Sequence, residues 1–310
     1  MPWLKLLKRD SVPWLLDPEN PSVRFLALRD IFKKPPAILE VEQQRIREWP
    51  AVQEIFQHWN RYNFWGRMYA PYYGGPVGNF GTLYLFAQLG APLYPELEPV
   101  CENLLDIGRF EDGRFVPEMH RAAPWLCYTG MALRLLYHFG YGADSRVIST
   151  HAALLHTILF RPELLACPML GGLCRSGLVK ALDALIHVPP LQRTGDNAAA
   201  IETLGEMLVM HAYDWGAQDA DWLAATFPRY YDADILELCH VLAQTDYRTQ
   251  PRFEELVQRM LTLQNEQGRW RKLRATPVFP IERIQHPSRW LTYEAVHTLT
   301  LTYGDTIYAP

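Results

Sequence analysis

Gln264-Asn265-Glu266-Gln267-Gly268-Arg269-Trp270 is the stretch on which the fold turns. It stands between two helical patterns. Its glycine can take a left-handed turn at little cost, and the tryptophan just beyond supplies a large packing anchor. A second copy, altered at both ends, occurs at Arg109-Phe110-Glu111-Asp112-Gly113-Arg114-Phe115, again ahead of a helical segment. Two junctions of one design in one chain mark a repeated unit.

Outward from these junctions, apolar residues recur at helical spacing, as in Leu83, Phe86, Ala87 and Leu89, or Leu133, Leu135, Leu136 and Phe139. Strand patterns are nearly absent. The segments stop at Leu89-Gly90, Phe139-Gly140, Pro189-Pro190 and Tyr303-Gly304, with a further stop near Asp246. These stops recur every roughly 50 to 60 residues, the length of a helix pair with its loops. A helix pair cannot bury its own apolar face, so pairs must stack, and about five or six of them suit closure into a ring. The expectation is an all-α protein, an α/α toroid of a single domain over residues 1–310, with 1–50 as an N-terminal helical segment packing on the ring. The plainer alternative is an irregular helical bundle.

Composition narrows the function. Of 310 residues, 49% are apolar and 21% charged, with 10 Trp, 16 Tyr and 13 Phe, enough to pack a large interior. The formal charge of −4 and scattered arginines exclude a nucleic-acid footprint. Cys101, Cys127, Cys167, Cys174 and Cys239 form an odd set without a CxxC pair or a secretory leader, which points to reduced thiols in a cytoplasm. No uncharged apolar run reaches the roughly 18 to 20 residues of a membrane span. The opening Met1–Arg9 reads as a docked terminal helix, with surface anchoring as its alternative.

The Gln264–Trp270 stretch resembles the Gln-x-x-x-Gly-x-Trp repeat of squalene and oxidosqualene cyclases, in which the Gln caps one helix and the Trp packs on the next. A narrower likeness is to short bacterial and archaeal proteins described as prenyltransferase-like or squalene-cyclase-like. It is carried by Trp14–Phe25, by Cys127-Tyr-Thr-Gly130 with Phe139–Val147, by Cys174 leading to Lys180, and by Pro287–Thr292. The resemblance implies the terpenoid-cyclase and protein-prenyltransferase toroid. A reaction has to be argued from a site.

The motifs of those enzymes are incomplete here. The Asp-x-Asp-Asp acid of class II cyclases is missing; its nearest echoes are Asp232-Ala-Asp234, where one Asp suits an N-cap, and the group around Asp214, which suits a solvated loop. The Asp-x-Cys and His of prenyltransferase zinc sites have only Glu237-Leu-Cys239 and His297 as an echo. Trp59, Tyr62, Trp65, Tyr69, Tyr72, Tyr73 and Trp125 are the candidate walls of an aromatic cavity, or core filling. Cys127, Cys167 and Cys174, completed by His120 or His286, are candidate zinc ligands, or separate core thiols. Glu202 and Glu206 share a helix face and read as a solvated stripe. The reading that results is a toroid binding an apolar, isoprenoid-type small molecule in a central aromatic cavity, with catalysis left open. Its alternatives are a non-catalytic scaffold for a protein partner and a structural zinc protein.

Overall fold

The computed structural model describes residues 2–304 except 62, 69, 73, 117–124, 170, 219, 277, 278 and 280, and only the backbone of 212–218, 220 and 221. Among the described residues there are helices, turns and isolated bridges but no strand. The α-helices are α1 (Val12–Leu15), α2 (Pro21–Asp30), α3 (Pro36–Glu48), α4 (Pro50–Gln57), α5 (Asn79–Gln88), α6 (Glu98–Ile107) and α7 (Leu126–His138). There follow α8 (Ser145–Phe160), α9 (Arg175–Ile186), α10 (Gly195–Gln218), α11 (Ala220–Leu223), α12 (Ile235–Leu242), α13 (Pro251–Thr262) and α14 (Arg289–Tyr303).

Two kinds of helix alternate. In α5 every residue from Asn79 to Ala87 is buried, and α7, α9, α12 and α14 are buried almost all round, as a helix surrounded by other helices must be. By contrast α13 buries Phe253, Leu256, Val257 and Met260, a single stripe, and α3 buries only Glu42 and Ile46. The pairs α2/α3, α5/α6, α7/α8, α9/α10 and α12/α13 therefore each set an inner helix against an outer one. The sixth inner helix, α14, is backed by α1 and the 3-10 turn Pro2–Leu6.

Inner helices follow one another round an axis, α5 on α7, α7 on α9, α9 on α12, α12 on α14 and α14 on α2. Ser22 at the start of α2 closes the circuit by donating to the Leu89 carbonyl at the end of α5 (2.7 Å). The all-α ring of helix pairs read from the sequence is thus present. Within residues 1–50, α2 lies between α14 and its outer partner α3, and the turn Pro2–Leu6 and α1 pack on α14.

Local signals explain the helix starts. Asn20, Asp144, Asp234 and Ser288 each accept a backbone N–H from the first turn they precede. The two junction copies are equivalent in space. Trp270 N–H donates to Thr292 Oγ1 and Phe115 N–H to Thr129 Oγ1, both at 3.1 Å and both to the fourth residue of the next inner helix. Trp270 is buried between α13, whose Met260 carbonyl it bonds through Nε1 (2.8 Å), and α14. Gly268 has φ +66°, and a Cβ there would lie 2.1 Å from the Arg9 carbonyl oxygen. Gln264 accepts from Lys8 N–H (2.8 Å) and donates to the Leu6 carbonyl at the end of the 3-10 turn Pro2–Leu6 (3.1 Å), tying the N-terminal turn to the ring.

Candidate functional site

The axis of the ring is charged. Within otherwise apolar inner helices, one polar stripe per helix faces the centre: Arg29 and Asp30 on α2, Tyr84 and Gln88 on α5, Arg134 on α7, Asp183 on α9 with His187 just past its end, Glu237 and His240 on α12 with Gln244 just past its end, and Tyr293, Glu294 and His297 on α14. They line a cavity of about 120 Å³, floored by Phe227 stacked on Trp290 (ring centroids 4.5 Å apart).

Arg229 bridges this centre and is only 3% exposed. Its backbone is held by the Gln88 amide, which accepts from Arg229 N–H (3.0 Å) and donates to the Arg229 carbonyl (2.9 Å). Its guanidinium makes a two-pronged pair with Asp234 (both 2.9 Å) and reaches Glu294 Oε1 at 2.6 Å. Lys180, also buried, donates to Glu237 Oε1 (2.6 Å) and to the Tyr84 hydroxyl (3.3 Å). Around the rim, Arg134 and His187 pair with Asp183 (3.4 and 3.2 Å), and Arg29 is bidentate on Asp30 (2.7 Å each), which also accepts from the Tyr293 hydroxyl.

Protonation follows from this geometry. Burial would raise the Asp30, Asp183 and Asp234 carboxyls, but the arginine beside each overrides it and holds all three below the usual carboxylate range. Burial wins at Glu237 and Glu294, whose carboxyls are pushed up despite Lys180 and Arg229. His240 and His297, joined Nε2 to Nδ1 at 2.9 Å, are driven neutral by burial, to about 4 and about 3. Four polar atoms in the lining make no hydrogen bond to a described residue: Glu237 Oε2, which lies 3.8 Å from Arg229 Nε, Glu294 Oε2, Trp290 Nε1 and His297 Nε2.

The residues singled out from the sequence are distributed differently. Asp234 is the α12 N-cap, fully buried and paired with Arg229, so it stays ionised and has no proton to give. Asp232 pairs with Arg274 (3.1 Å) away from the cavity. Asp214 lies on α10, with its side chain outside the description. Trp65 is buried and donates from Nε1 to the Ile55 carbonyl, while Trp59 stacks on Phe56, in the α4–α5 seam. Tyr72 and Trp125 join Phe80, Tyr128 and Tyr230 in a cluster by the N-terminal ends of α5 and α7. None of these four lines the axial cavity. Tyr62, Tyr69, Tyr73 and His120 lie outside the described residues.

Of the zinc candidates, Cys127, Cys167 and Cys174 do lie near one another, close enough for each thiol to shift the titration of its neighbour. His286 is exposed on the loop before α14, with its carbonyl bonded to Lys272 N–H. Among the described residues no three His, Cys, Asp or Glu side chains are arranged to hold a metal ion, so these groups do not fit a zinc tetrahedron as they stand. In the Glu237, Cys239 and His297 echo, Glu237 and His297 face the cavity, while Cys239 is wholly buried and its thiol is pushed up by burial. Glu202 and Glu206 are exposed.

What sequence reading missed is the axis itself. Its signal was present as polar residues three or four apart in, or just past the end of, helices otherwise too apolar to face water: Lys180, Asp183 and His187; Glu237, His240 and Gln244; Glu294 and His297.

No family model and no curated protein matches the chain. Among solved structures, the chain is similar to the type II terpene cyclase MstE from Scytonema without ligand, at 14% identity and a TM-score of 0.31, over 80% of this chain and 95% of that one. It is likewise similar to a variant of that cyclase in complex with the substrate geranylgeranyl dihydroxybenzoate, at 15% identity and a TM-score of 0.30, over 81% and 95%. Superposition at that level transfers no site and no chemistry, and the fold assignment rests on the order of the helices.

Proposed function

We propose that the axial cavity binds a compact cationic small molecule, of guanidinium or ammonium type, whose N–H groups pair with Glu237 and Glu294. The observation that carries this reading is the pair of buried carboxylate oxygens, Glu237 Oε2 and Glu294 Oε2, that accept no hydrogen bond from a described residue, Glu237 Oε2 having only the Arg229 Nε charge 3.8 Å away. An unpaired buried acceptor costs about 1–3 kcal/mol, more when charged, so a donor arriving from outside has that much to recover. Charge agrees: Arg29, Arg134, Lys180 and Arg229 face a larger set of carboxylates, Asp30, Asp183, Asp234, Glu237 and Glu294. The C-terminal halves of the inner helices, which line most of the cavity, add negative dipole ends.

The apolar, isoprenoid-type occupant is the second reading, favoured by the tyrosine and tryptophan cluster around Tyr128. A cavity of about 120 Å³ falls below the roughly 300–1,000 Å³ of ordinary ligand sites, and a charged lining is poor solvent for a hydrocarbon.

Calorimetric titration with methylguanidinium, ethylammonium, acetate and farnesol separates the two. The cationic reading requires the first or second probe to bind and Glu294→Gln to weaken it about tenfold or more. Binding of farnesol or acetate, with neither cation bound, overturns it. Because burial holds both carboxyls above their usual range, protons compete with the cation. Affinity is therefore expected to fall as pH is lowered toward the usual carboxylate range, beginning above that range, and the loss should shrink in Glu294→Gln.

A further inference from the structure

The thiol cluster lies outside the lining of the axial cavity, and its geometry suggests a use of its own. Helices α7 and α9 are brought unusually close by glycine. A Cβ on Gly130 would lie 2.5 Å from the Lys180 carbonyl carbon, and one on Gly177 would lie 3.1 Å from Leu126 Cβ and 2.9 Å from Cys174 Sγ. This contact sets Cys127, in the first turn of α7, beside Cys174, the residue preceding α9. A tight hairpin returns the chain to the same point. Ala166 bridges Leu173, Cys174 N–H donates to the Leu165 carbonyl (3.0 Å), and left-handed Gly171 and Gly172 make the reversal, so Cys167 also meets Cys174.

We propose that Cys174 and Cys127 form a peroxide-reactive thiol pair, in which hydrogen peroxide oxidises Cys174 and Cys127 resolves the product as a disulfide. The parts have separate roles. Cys174 is partly exposed, whereas Cys127 is buried, so the oxidant meets Cys174 first. The Cys127 and Cys167 thiols, Gly177 N–H and the Arg175 guanidinium surround the Cys174 sulfur, and these neighbours bring its thiol down to about 7. Cys127 is pushed up by the neighbouring Cys174 sulfur and by burial, and so is held protonated. The remaining titratable groups near the pair are Tyr128, Tyr230 and Tyr231, all raised and so neutral.

The chemistry balances with peroxide as the oxidant. The Cys174 thiolate attacks one peroxide oxygen and the O–O bond breaks. The departing hydroxide takes a proton to become water, and sulfur, having lost two electrons, is left as sulfenic acid. The Cys127 sulfur then attacks the Cys174 sulfur and the S–O bond breaks. Hydroxide leaves and takes the proton that Cys127 has given up, so a disulfide and a second water remain.

The test treats the full reduced chain with a few equivalents of hydrogen peroxide, blocks residual thiols with N-ethylmaleimide, and maps peptides without reduction. The expected product is a Cys127–Cys174 linked peptide, with Cys101 and Cys239 alkylated only after unfolding. In Cys127→Ser, dimedone should label Cys174 instead, and unchanged helix content by circular dichroism shows that the variant is folded. A link to Cys167, oxidation first at another cysteine, or no oxidation of Cys174 overturns the proposal. So does stoichiometric zinc in the chain as purified that Cys174→Ser releases, since the thiols would then be metal ligands.

Discussion

Arg229 is the residue on which the centre depends. It is buried, neutralises Asp234 and Glu294 together, and is clamped through its backbone by Gln88. Removing one partner of such a network strands the others, at a cost of about 3–5 kcal/mol, a large share of a typical domain's stability. Arg229→Met is therefore expected to lower the urea midpoint strongly. Replacing Asp232, whose pair with Arg274 is half-exposed, should change it by less than about 1 kcal/mol. The histidines give a pH signature. His240 and His297 are depressed in the folded chain, so the unfolded chain binds their protons more readily, and stability is lost as pH falls from about 6.5 toward about 4. Urea midpoints across that window check it, and His240→Gln should flatten the slope. At this scale the sequence was partly legible. The Asp234 cap is a local signal and could be read, but Arg229 draws its meaning from Gln88 and Glu294, which nothing local connects to it.

The elements were more legible than their contacts. Glycines at chain reversals and apolar helical spacing gave the helix pairs, and the two junctions proved equivalent down to the threonine that receives each backbone N–H. That threonine was invisible in the motif because it sits in the following helix. Thr292→Val and Thr129→Val should each leave a buried N–H unpaired and cost about 1–3 kcal/mol in chemical unfolding, with similar values at the two sites. The α7–α9 seam makes a sharper demand. Gly130→Ala places a methyl against backbone of Lys180, which cannot move aside as a side chain would, so a loss of about 1–3 kcal/mol is expected from the same measurement.

At the scale of the whole molecule, the stacking of pairs could be inferred because each pair leaves an apolar face uncovered, and closure appears as α14 lying on α2. What fills the middle could not be inferred from aromatic content. The rings of Trp59, Trp65, Tyr72 and Trp125 pack seams between helices, while the axis takes the charged residues that the apolar pattern treats as interruptions. A wide hydrocarbon cavity needs inner helices that are smooth and apolar toward the centre. These are apolar toward one another and polar inward. The most direct test of this account is a crystal structure of the full chain grown with methylguanidinium. The account predicts α2, α5, α7, α9, α12 and α14 arranged round one axis, with the cation between Glu237 and Glu294 and Arg229 still paired with Asp234. An open arrangement with α14 away from α2, or an axis filled by hydrocarbon with those carboxylates turned outward, would contradict it.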